Sequence, residues 1–410
     1  MANNVQRITS SGPVQRRLAP PGAEDLICLS HLRWNFVFQR PQHLLTRCAR
    51  ERRVFYVEEP VFDSDVPRLE LTRDPSGVVI AVPHVPAVPD GSATIAQLRE
   101  LLNGLLAFEQ VSEYVLWYYT PMALAFSDHL SPCATVFDCM DELSSFAGAP
   151  RGLREAEQAL LRRSDVVLTG GASLYEAKRR LHSNVHAFPS GVDVAHFARA
   201  RSVTADPPDQ APLRRPRLGY FGVVDERFDV PLVSAVAEAR PDWEFVIVGP
   251  VAKIDAAALP RPGNIHYLGQ RTYAELPDYI AGWDVALLPF ARNDATRFVS
   301  PTKTPEYLAA GKPVVSTSIR DVVRPYGELG LVRIADTPDA FIAAIDAALV
   351  EDAAARQSAA NVLLAGMSWD ATWASISRLI RSACRRRARQ TAAGATRSTT
   401  TDTDRPSASA

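Results

Sequence analysis

The sequence lacks long apolar runs. Nowhere do about 18 consecutive apolar residues occur, which is the length that a helix needs to cross a membrane. Arg16 and Arg17 lie near the start of the chain, but no apolar core of a signal peptide follows them. We therefore expect a cytoplasmic protein.

Cysteine is also scarce. The 410 residues include only five cysteines, and no two of them have the short spacing that is typical of metal sites. Cys28, Cys48 and Cys139 lie within apolar stretches, where a thiol acts as a small hydrophobic group. The sequence predicts no structural zinc, no other bound metal and no cofactor.

An excess of charge of either sign is missing too. The formal net charge is -1, so the chain as a whole does not attract nucleic acid, and any anion site has to be local. Hydrophobic residues make up 47% of the chain and charged residues 22%, as in ordinary soluble globular proteins. A single core is unusual at this length, and we expect two domains.

The pattern that is present alternates short β-branched runs with amphipathic stretches. One series begins at residues 25–29, and a second begins at residues 217–221 after a proline-containing segment without periodicity. This alternation predicts parallel α/β sheets, with ligands bound where the carboxyl ends of facing strands meet. The predicted division is a disordered tail at 1–23, a first domain at 24–201, a linker at 202–216, a second domain at 217–367, a closing helix at 368–384 and a disordered tail at 385–410.

Residues 300–317 read SPTKTPEYLAAGKPVVST and are the most informative segment of the chain. Two prolines open a short helix, Gly311 ends it, and an apolar strand follows at once. Lys303 and Glu306 lie in the first turns, where unpaired backbone N–H groups favour an anion. A cation beside a carboxylate suits a phosphate joined to a hydroxyl-rich group. The alternative is an ordinary helix with both side chains solvated.

This segment resembles the nucleotide-sugar signature of the family 4 (glycosyl transferases group 1) glycosyltransferases. In that family a Glu precedes a small-residue helix and then Gly-x-Pro-Val-Val, a spacing that Glu306 and Gly311 keep. The resemblance implies that Glu306 holds the ribose of a nucleotide sugar and that Lys303 meets the diphosphate, with the backbone at Ser300 and Thr302. The family usually has a second Glu that contacts the donor sugar, but Phe298 stands at that position here. The resemblance therefore does not imply which sugar the donor carries.

Two other segments extend the resemblance over most of residues 24–384. Residues 189–197 resemble the Asn-Gly-Val-Asp-x-x-x-Phe crossing out of the first domain, with Ser190 in place of Asn, and residues 368–373 fit the closing helix capped by Ser368. The implied architecture is the GT-B fold, in which two tandem Rossmann-like doubly wound domains face a cleft and a C-terminal crossover helix returns to the first domain.

The loop after the predicted strand at 217–221 carries Gly222 and Arg227. The family commonly places a glycine and then a basic residue here to grip the diphosphate, and a planar guanidinium can bond two phosphate oxygens at once. The alternative is a surface ion pair between Arg227 and its acidic neighbours. Lys253 is a weaker candidate, because loop lysines are usually just exposed.

The first domain carries its candidates in two loops. Residues 30–43 resemble an acceptor-facing loop of a bacterial surface-polysaccharide subset, and we assign His31, Trp34 and Arg40 to the acceptor side. The alternative is that the aromatic residues pack against the helix that Pro41 begins.

Three carboxylates follow the strand at 135–137, namely Asp138, Asp141 and Glu142. Because they repel one another, they need a cation, sugar hydroxyls or helix N–H groups. We assign Asp138 and Glu142 to the acceptor side and Asp141, with Arg227 and Lys303, to catalysis; helix capping by Asp141 is the alternative. The Asp-Ser-Asp motif at 63–65 is a weak metal signal, because enzymes that use it have a single-domain fold.

The hypothesis from the sequence is a glycosyltransferase of bacterial cell-surface polysaccharide synthesis. It moves a sugar from a nucleoside diphosphate sugar to a glycan or lipid-linked acceptor, and the resemblance implies a retaining, metal-independent reaction. The alternatives are a same-fold epimerase or hydrolase and a non-catalytic subunit that binds nucleotide sugar or glycan. Arginines at 381–389 predict weak peripheral contact with the inner face of the plasma membrane. No nucleic acid partner is expected.

Overall fold

The protein folds around two sheets, one of nine strands and one of six, in the part of the chain that the structure describes. The structure is a computed structural model, and it describes residues 5–7, 24–88 and 91–400. The two-sheet α/β architecture is the one that the sequence predicts.

The first sheet has the strand order β1-β4-β5-β3-β2-β6-β7-β8-β9. Its strands are β1 (Val5–Arg7), β2 (Asp25–Leu29), β3 (Val54–Val57), β4 (Arg68–Arg73), β5 (Val79–His84), β6 (Tyr114–Tyr118), β7 (Ala134–Cys139), β8 (Val166–Thr169) and β9 (Val185–Ala187). The helices of this half are α1 (Arg40–Cys48), α2 (Gly91–Phe108), α3 (Leu124–Ser127), α4 (Leu153–Arg163), α5 (Ala172–Lys178) and α6 (Val194–Ala198). Every pair of neighbouring strands is parallel except β4 and β5.

The second sheet is parallel throughout and has the order β12-β11-β10-β13-β14-β15. Its strands are β10 (Arg217–Phe221), β11 (Glu244–Val248), β12 (Ile265–Gly269), β13 (Val285–Leu288), β14 (Val314–Ser316) and β15 (Val332–Ile334). The helices that follow are α7 (Val230–Ala239), α8 (Leu276–Ala281), α9 (Lys303–Ala309), α10 (Arg320–Val322), α11 (Pro338–Leu349), α12 (Ala353–Leu364) and α13 (Trp369–Thr400).

Both sheets reverse their winding beside their first central strand. In the second sheet β10 lies between β11 and β13, and in the first sheet β2 lies between β3 and β6. A crevice opens at such a switch point, outside the carboxyl ends of the strands. The central strands are apolar and buried along their whole length, as β2, β6 and β7 show, because helices cover both faces of a parallel sheet.

Helix α13 joins the two halves. Val192 pairs with Ser368 in an isolated bridge just before the helix, and α13 then buries Trp369, Trp373 and Ile376 against the first sheet. This is the return to the first half that the sequence predicts. In the described part of the chain, no helix is both long enough and apolar enough to cross a membrane.

The ends of the chain differ from the sequence prediction. Within the tail predicted to lie outside the fold, β1 pairs in parallel with β4 at the open edge of the first sheet, where unpaired backbone groups accept a further strand. Helix α13 continues to Thr400 instead of ending at 384, because its last turns are rich in the helix formers Ala and Arg. Residues 1–4, 8–23 and 401–410 lie outside the described residues.

Candidate functional site

A cavity opens between the two sheets, and we call it the Lys303 cavity. Its walls come from the carboxyl ends of strands in both halves. The second half contributes the predicted residues Arg227, Ser300, Thr302, Lys303 and Glu306, and the first half contributes Arg40 and Asp141. The fold therefore gathers seven of the predicted residues on one cavity.

Lys303 begins helix α9, and its side chain runs beneath the loop that follows β10. The ammonium Nζ lies 5.5 Å from the ring centroid of Tyr220 and 5.9 Å from those of Phe221 and Phe290. Burial and, after it, the charge of the nearby Arg227 lower the pKa of Lys303 to about 8. The ammonium is buried and forms no salt bridge with any described residue, which favours binding of an anion in the cavity.

Gly222 makes room for this lysine. Its φ is +132°, and a Cβ atom there would lie 2.3 Å from Lys303 Cε. No side chain can be added without moving the lysine, so a glycine is needed here for both conformation and space. The predicted association of Gly222 with the site is thus through Lys303, because Gly222 itself does not line the cavity.

Glu306 lies one turn further along α9 and is only 4% exposed. Its Oε2 atom accepts no hydrogen bond from any described residue, although the side chain lines the cavity. Burial raises the pKa of Glu306 to about 8, whereas Lys303 and a hydrogen bond with Thr302 act in the opposite direction. An unused carboxyl oxygen is costly to bury, so a ligand that donates a hydroxyl hydrogen would be stabilised here.

Arg227 is held by Asp225, one of the acidic neighbours that the sequence offered as an ion-pair partner. Asp225 is buried and accepts hydrogen bonds from Arg227 Nε at 2.9 Å and from Nη2 at 2.6 Å. The ion pair that the sequence analysis offered as an alternative therefore exists, yet Arg227 still lines the cavity. An acidic residue two positions earlier in the loop was the available signal. The pair fixes the guanidinium, and the charge of Asp225 raises the pKa of Arg227.

Arg40 and Asp138 form a buried ion pair at the first-half wall. Asp138 is fully buried and accepts from Arg40 Nε at 2.9 and 3.1 Å, and Arg40 Nη1 donates to the Phe188 carbonyl at 2.8 Å. The predicted acceptor-side residue Asp138 therefore does not line the Lys303 cavity, and its oxygens are committed to Arg40. Arg40 Nη2 has no partner among the described residues, and Arg40 lines the cavity.

Asp141 lies where the Lys303 cavity meets a second cavity, which we call the Lys253 cavity. Asp141 and Arg227 line both cavities. Removal from water raises the pKa of Asp141, and the cations around it oppose that shift. Apolar side chains such as those of Met122 and Phe146 form much of the wall of the Lys253 cavity.

Two further candidates of the first half, His31 and Trp34, lie in different surroundings. His31 lines the Lys253 cavity, its Nδ1 has no partner in the described part of the chain, and burial lowers its pKa to about 4. Trp34 is 5% exposed, packs in the core and donates through Nε1 to Asp74 at 3.0 Å. The packing alternative is thus the right one for Trp34, which lines neither cavity.

Glu142 lies in a cluster of ion pairs in the first half. Its carboxylate accepts from Lys178 Nζ at 2.7 Å, and the same ammonium bonds Glu157 at 2.6 Å. A buried lysine needs such compensation, so Glu142 is occupied by the fold and lines neither the Lys303 nor the Lys253 cavity. Asp63 also lies away from both cavities and hydrogen-bonds His84 at 2.6 Å.

Phe298 packs against the apolar core of the first sheet rather than lining the Lys303 cavity. Nearby, Asp321 accepts from the backbone N–H of Ser173 at 3.1 Å, and a Cβ atom on Gly171 would lie 2.6 Å from Ser300 Cβ. These contacts bring the loop before α9 against the first half. Sequence reasoning missed Asp321, because nothing in its local pattern points to a partner 148 residues away.

Comparison with known proteins finds a family match in the second half of the chain. Residues 215–351 match the family described as Glycosyl transferases group 1. The Bacillus subtilis protein TuaH, provisionally described as a teichuronic acid biosynthesis glycosyltransferase, is 28% identical over 225 residues. That match covers 50% of this chain and 55% of TuaH, so the chain spans about half the length of this relative.

Solved structures share the fold. Sucrose-phosphate synthase from Thermosynechococcus elongatus superposes with a TM-score of 0.68 at 15% identity, covering 88% of this chain and 99% of that one. Anabaena HepE, solved in complex with UDP and glucose, superposes with a TM-score of 0.62 at 16% identity, covering 87% and 99%. At such identities the likeness establishes the fold alone, which is the GT-B architecture.

Proposed function

We propose that the chain is a glycosyltransferase that moves a sugar from a nucleoside diphosphate sugar to a hydroxyl group of a glycan or glycolipid. The observation that carries this proposal is the Lys303 cavity, where a carboxyl group with an unused oxygen lies beside two cationic side chains. The match to Glycosyl transferases group 1 and the likeness to HepE, solved with UDP and glucose, support it. The similarity to TuaH supports a role in bacterial cell-surface polysaccharide synthesis.

The donor nucleotide occupies the second-half wall of the Lys303 cavity in this proposal. Glu306 accepts hydrogen bonds from the ribose hydroxyls, which satisfies its Oε2 atom. Lys303 and Arg227 bind the diphosphate together with Ser300 and Thr302, which line the same cavity. The diphosphate adds negative charge beside the ammonium, so binding stabilises the protonated form of Lys303.

Sugar transfer leaves negative charge on the departing diphosphate while the sugar becomes oxocarbenium-like. Fixed cations at that position stabilise the transition state, and Asp225 keeps the Arg227 guanidinium in place before the reaction begins. We therefore propose a reaction that needs no divalent metal, and addition of a chelator should leave turnover unchanged. Retention of the anomeric configuration is part of the same proposal and is tested by NMR of the first product.

The acceptor enters through the Lys253 cavity in this proposal. Asp141 lies at the boundary with the Lys303 cavity, within reach of both ligands, and would hydrogen-bond the attacking hydroxyl. His31, with its free Nδ1, and the apolar wall around Phe146 would hold the rest of the acceptor. Arg40 would direct its unpaired Nη2 toward the transferred sugar.

The donor assignment is tested by replacing Glu306. Glu306→Ala should weaken UDP or another bound nucleoside diphosphate by about 1–3 kcal/mol, because hydrogen bonds from the ribose hydroxyls to this carboxyl group are lost. Affinity for inorganic pyrophosphate should stay unchanged, since pyrophosphate has no ribose. Titration calorimetry measures both, and Glu238→Ala, at an exposed position on α7, is the control. Equal UDP affinity in a folded Glu306→Ala protein would remove Glu306 from the site.

A turnover assay distinguishes an enzyme from a non-catalytic binding subunit. A thermal-shift screen of nucleoside diphosphate sugars identifies the donor, because a ligand stabilises the folded state in proportion to its occupancy. Incubation of that donor with and without surface-glycan acceptors then distinguishes three results. Product that requires acceptor supports transfer, release of free sugar without acceptor indicates a hydrolase, and binding without any product indicates a non-catalytic subunit.

We also propose weak peripheral contact of α13 with an anionic membrane surface. Arg385, Arg386 and Arg389 are exposed, and each cation near such a surface adds about 1 kcal/mol of attraction. Replacing all three with Gln in the full chain should abolish salt-sensitive co-sedimentation with vesicles that contain phosphatidylglycerol. Shortening the chain at 382 is a poorer test, because Ala383 and Cys384 are buried in the core. Equal pelleting of the wild-type protein and the triple Gln variant would exclude these arginines as an anchor.

A further inference from the structure

Two cysteines that are far apart in the chain meet beneath helix α13. Cys133 directly precedes β7, and Cys384 lies on α13, 251 residues later. Their Sγ atoms are 3.1 Å apart, although the two residues belong to different elements. Cys384 is 7% exposed and Cys133 is half-buried, so small reagents can reach the pair from the Cys133 side.

The two thiols of the pair have different environments. The contact with Cys384 and burial raise the pKa of Cys133, while the charge of the nearby Arg52, which donates to Glu24 at 3.3 Å, acts in the opposite direction. The hydrogen bond with Cys133 is the largest influence on Cys384 and lowers its pKa against the effect of burial, so Cys384 is the thiol of the pair that loses its proton more readily. Burial raises the pKa of Cys28, Cys48 and Cys139, so these three are expected to be inert.

We propose that Cys133 and Cys384 form a site of reversible oxidation, at which a low-molecular-weight disulfide converts the two thiols into an intramolecular disulfide. One protein thiolate attacks a sulfur of the small disulfide, which forms a mixed disulfide and releases one small thiolate. The second protein cysteine loses its proton to solvent and attacks the mixed disulfide, which forms the Cys133–Cys384 bond and releases the second small thiol. The protein loses two electrons, and the small disulfide gains them.

The available ligands, rather than the distance between the sulfurs, favour this bond over a shared metal ion. A disulfide requires about 2.05 Å between sulfurs, so an approach of about 1 Å is needed. Two thiolates on one tetrahedral zinc at about 2.3 Å each lie about 3.8 Å apart, so the pair would have to open. The carboxylate of Glu24 comes close to both sulfurs, but it already pairs with Arg52.

Oxidation would fix α13 to the first sheet. The helix begins at the crossing from the second half, where Trp369 stacks on His43 with ring centroids 4.5 Å apart. Cys133 leads into β7, whose carboxyl end carries Asp138, and Asp141 follows three residues after Asp138. A covalent bond across this contact closes a long loop, which limits the freedom of the unfolded chain.

The test counts thiols in the full chain. Reduced protein is incubated with oxidised glutathione and then unfolded in excess N-ethylmaleimide, which alkylates the free thiols. Mass spectrometry then gives the number of alkylated thiols. We expect two fewer alkylated thiols than the five of the reduced protein, and peptide mapping should join the segments that contain residues 133 and 384. Cys133→Ser and Cys384→Ser should each lose no thiol pair, whereas the control Cys48→Ser should still lose two. The midpoint of thermal unfolding should rise by several degrees on oxidation and return with dithiothreitol.

Three results would overturn the proposal. The first is five alkylated thiols after oxidation, and the second is a stable glutathione adduct in place of the loss of two thiols. The third is stoichiometric zinc that protects both thiols until a chelator removes it. If a serine variant fails to fold, the wild-type mapping and the Cys48→Ser control decide the question alone.

Discussion

Burial moves the pKa of Lys303 and that of Glu306 in opposite directions, to about 8 in both cases. Below that pH the empty cavity holds an ammonium group and a protonated carboxyl group, so its charge favours an anion. Arg227 adds a cation that Asp225 holds in place. The charge state of this small group of side chains therefore decides how well an anionic nucleotide binds.

The pH dependence of nucleotide affinity follows from the state of Lys303. An anionic diphosphate raises the pKa of Lys303 above its value in the empty cavity, so affinity is fully present below about pH 8 and falls as pH rises above it. We expect Lys303→Arg to keep the affinity at pH 7 and to flatten its decline between pH 8 and pH 10, because guanidinium stays charged there. Calorimetric titration of UDP across this range measures both effects.

Lys303→Met is the matched control, and it should bind weakly at every pH. Because Glu306 also titrates near pH 8, the series is repeated in Glu306→Gln, which cannot ionise. An unchanged decline in Lys303→Arg would assign the pH dependence to another group.

At the scale of elements, the loop after β10 depends on two glycines. Gly249 has φ +148°, and a Cβ atom on it would lie 2.0 Å from the carbonyl oxygen of Gly222. Gly222 in turn lies against Lys303. The ends of β10 and β11 can therefore approach this closely only because neither glycine carries a side chain. The position of the Lys303 ammonium is thus set by backbone geometry in two neighbouring loops.

Gly222→Ala should displace Lys303 and lower nucleoside diphosphate affinity by at least tenfold. It should also destabilise the fold by about 1–3 kcal/mol, because an alanine at this φ is strained. Gly263→Ala is the matched control, since the space around that glycine is open and its φ is ordinary. Calorimetry and chemical denaturation measure the two effects, and normal UDP affinity in Gly222→Ala would show that the lysine tolerates the methyl group.

Local sequence patterns predicted the secondary-structure elements well, but they predicted the contacts between distant residues poorly. The helix before Gly311 is present as α9, and Gly311 has the left-handed φ of +80° that ends a helix, because proline and glycine act on their own neighbourhood. The ion pairs of Asp138 and Glu142 were not predicted, because their partners Arg40 and Lys178 come from distant segments of the chain. The antiparallel strand β4 was missed for a related reason, since pairing at a sheet edge leaves only a weak local pattern.

At the scale of the whole molecule, the two halves meet through a few specific contacts around the cavity. Asp321 binds the Ser173 N–H across the cleft, and burial raises its pKa. On the other side, Tyr273 of the second half stacks on Phe38 of the first at 4.5 Å and on His196 at 4.2 Å. These contacts hold the described conformation with the cavity walls close together.

Removing the Asp321 contact should open the cleft. Asp321→Ala leaves the N–H of Ser173 without this partner, and we expect a larger radius of gyration in small-angle scattering of the nucleotide-free protein. We also expect turnover to fall several-fold while UDP affinity changes less, because the contact lies outside the nucleotide wall. Asp339→Ala, at an exposed position on α11, is the control. Scattering identical to wild type would show that other contacts close the cleft.

Asp141 and Arg227 line both the Lys303 cavity and the Lys253 cavity, and this has a thermodynamic consequence for ligand binding. A ligand in either cavity changes the field at two charged groups that the other ligand also meets, so the two binding events share a coupling free energy. That coupling is reciprocal: the factor by which the first ligand changes the affinity for the second equals the factor in the reverse order. The order in which the two ligands bind is therefore free to vary, while the stability of the complex with both ligands is the same by either route.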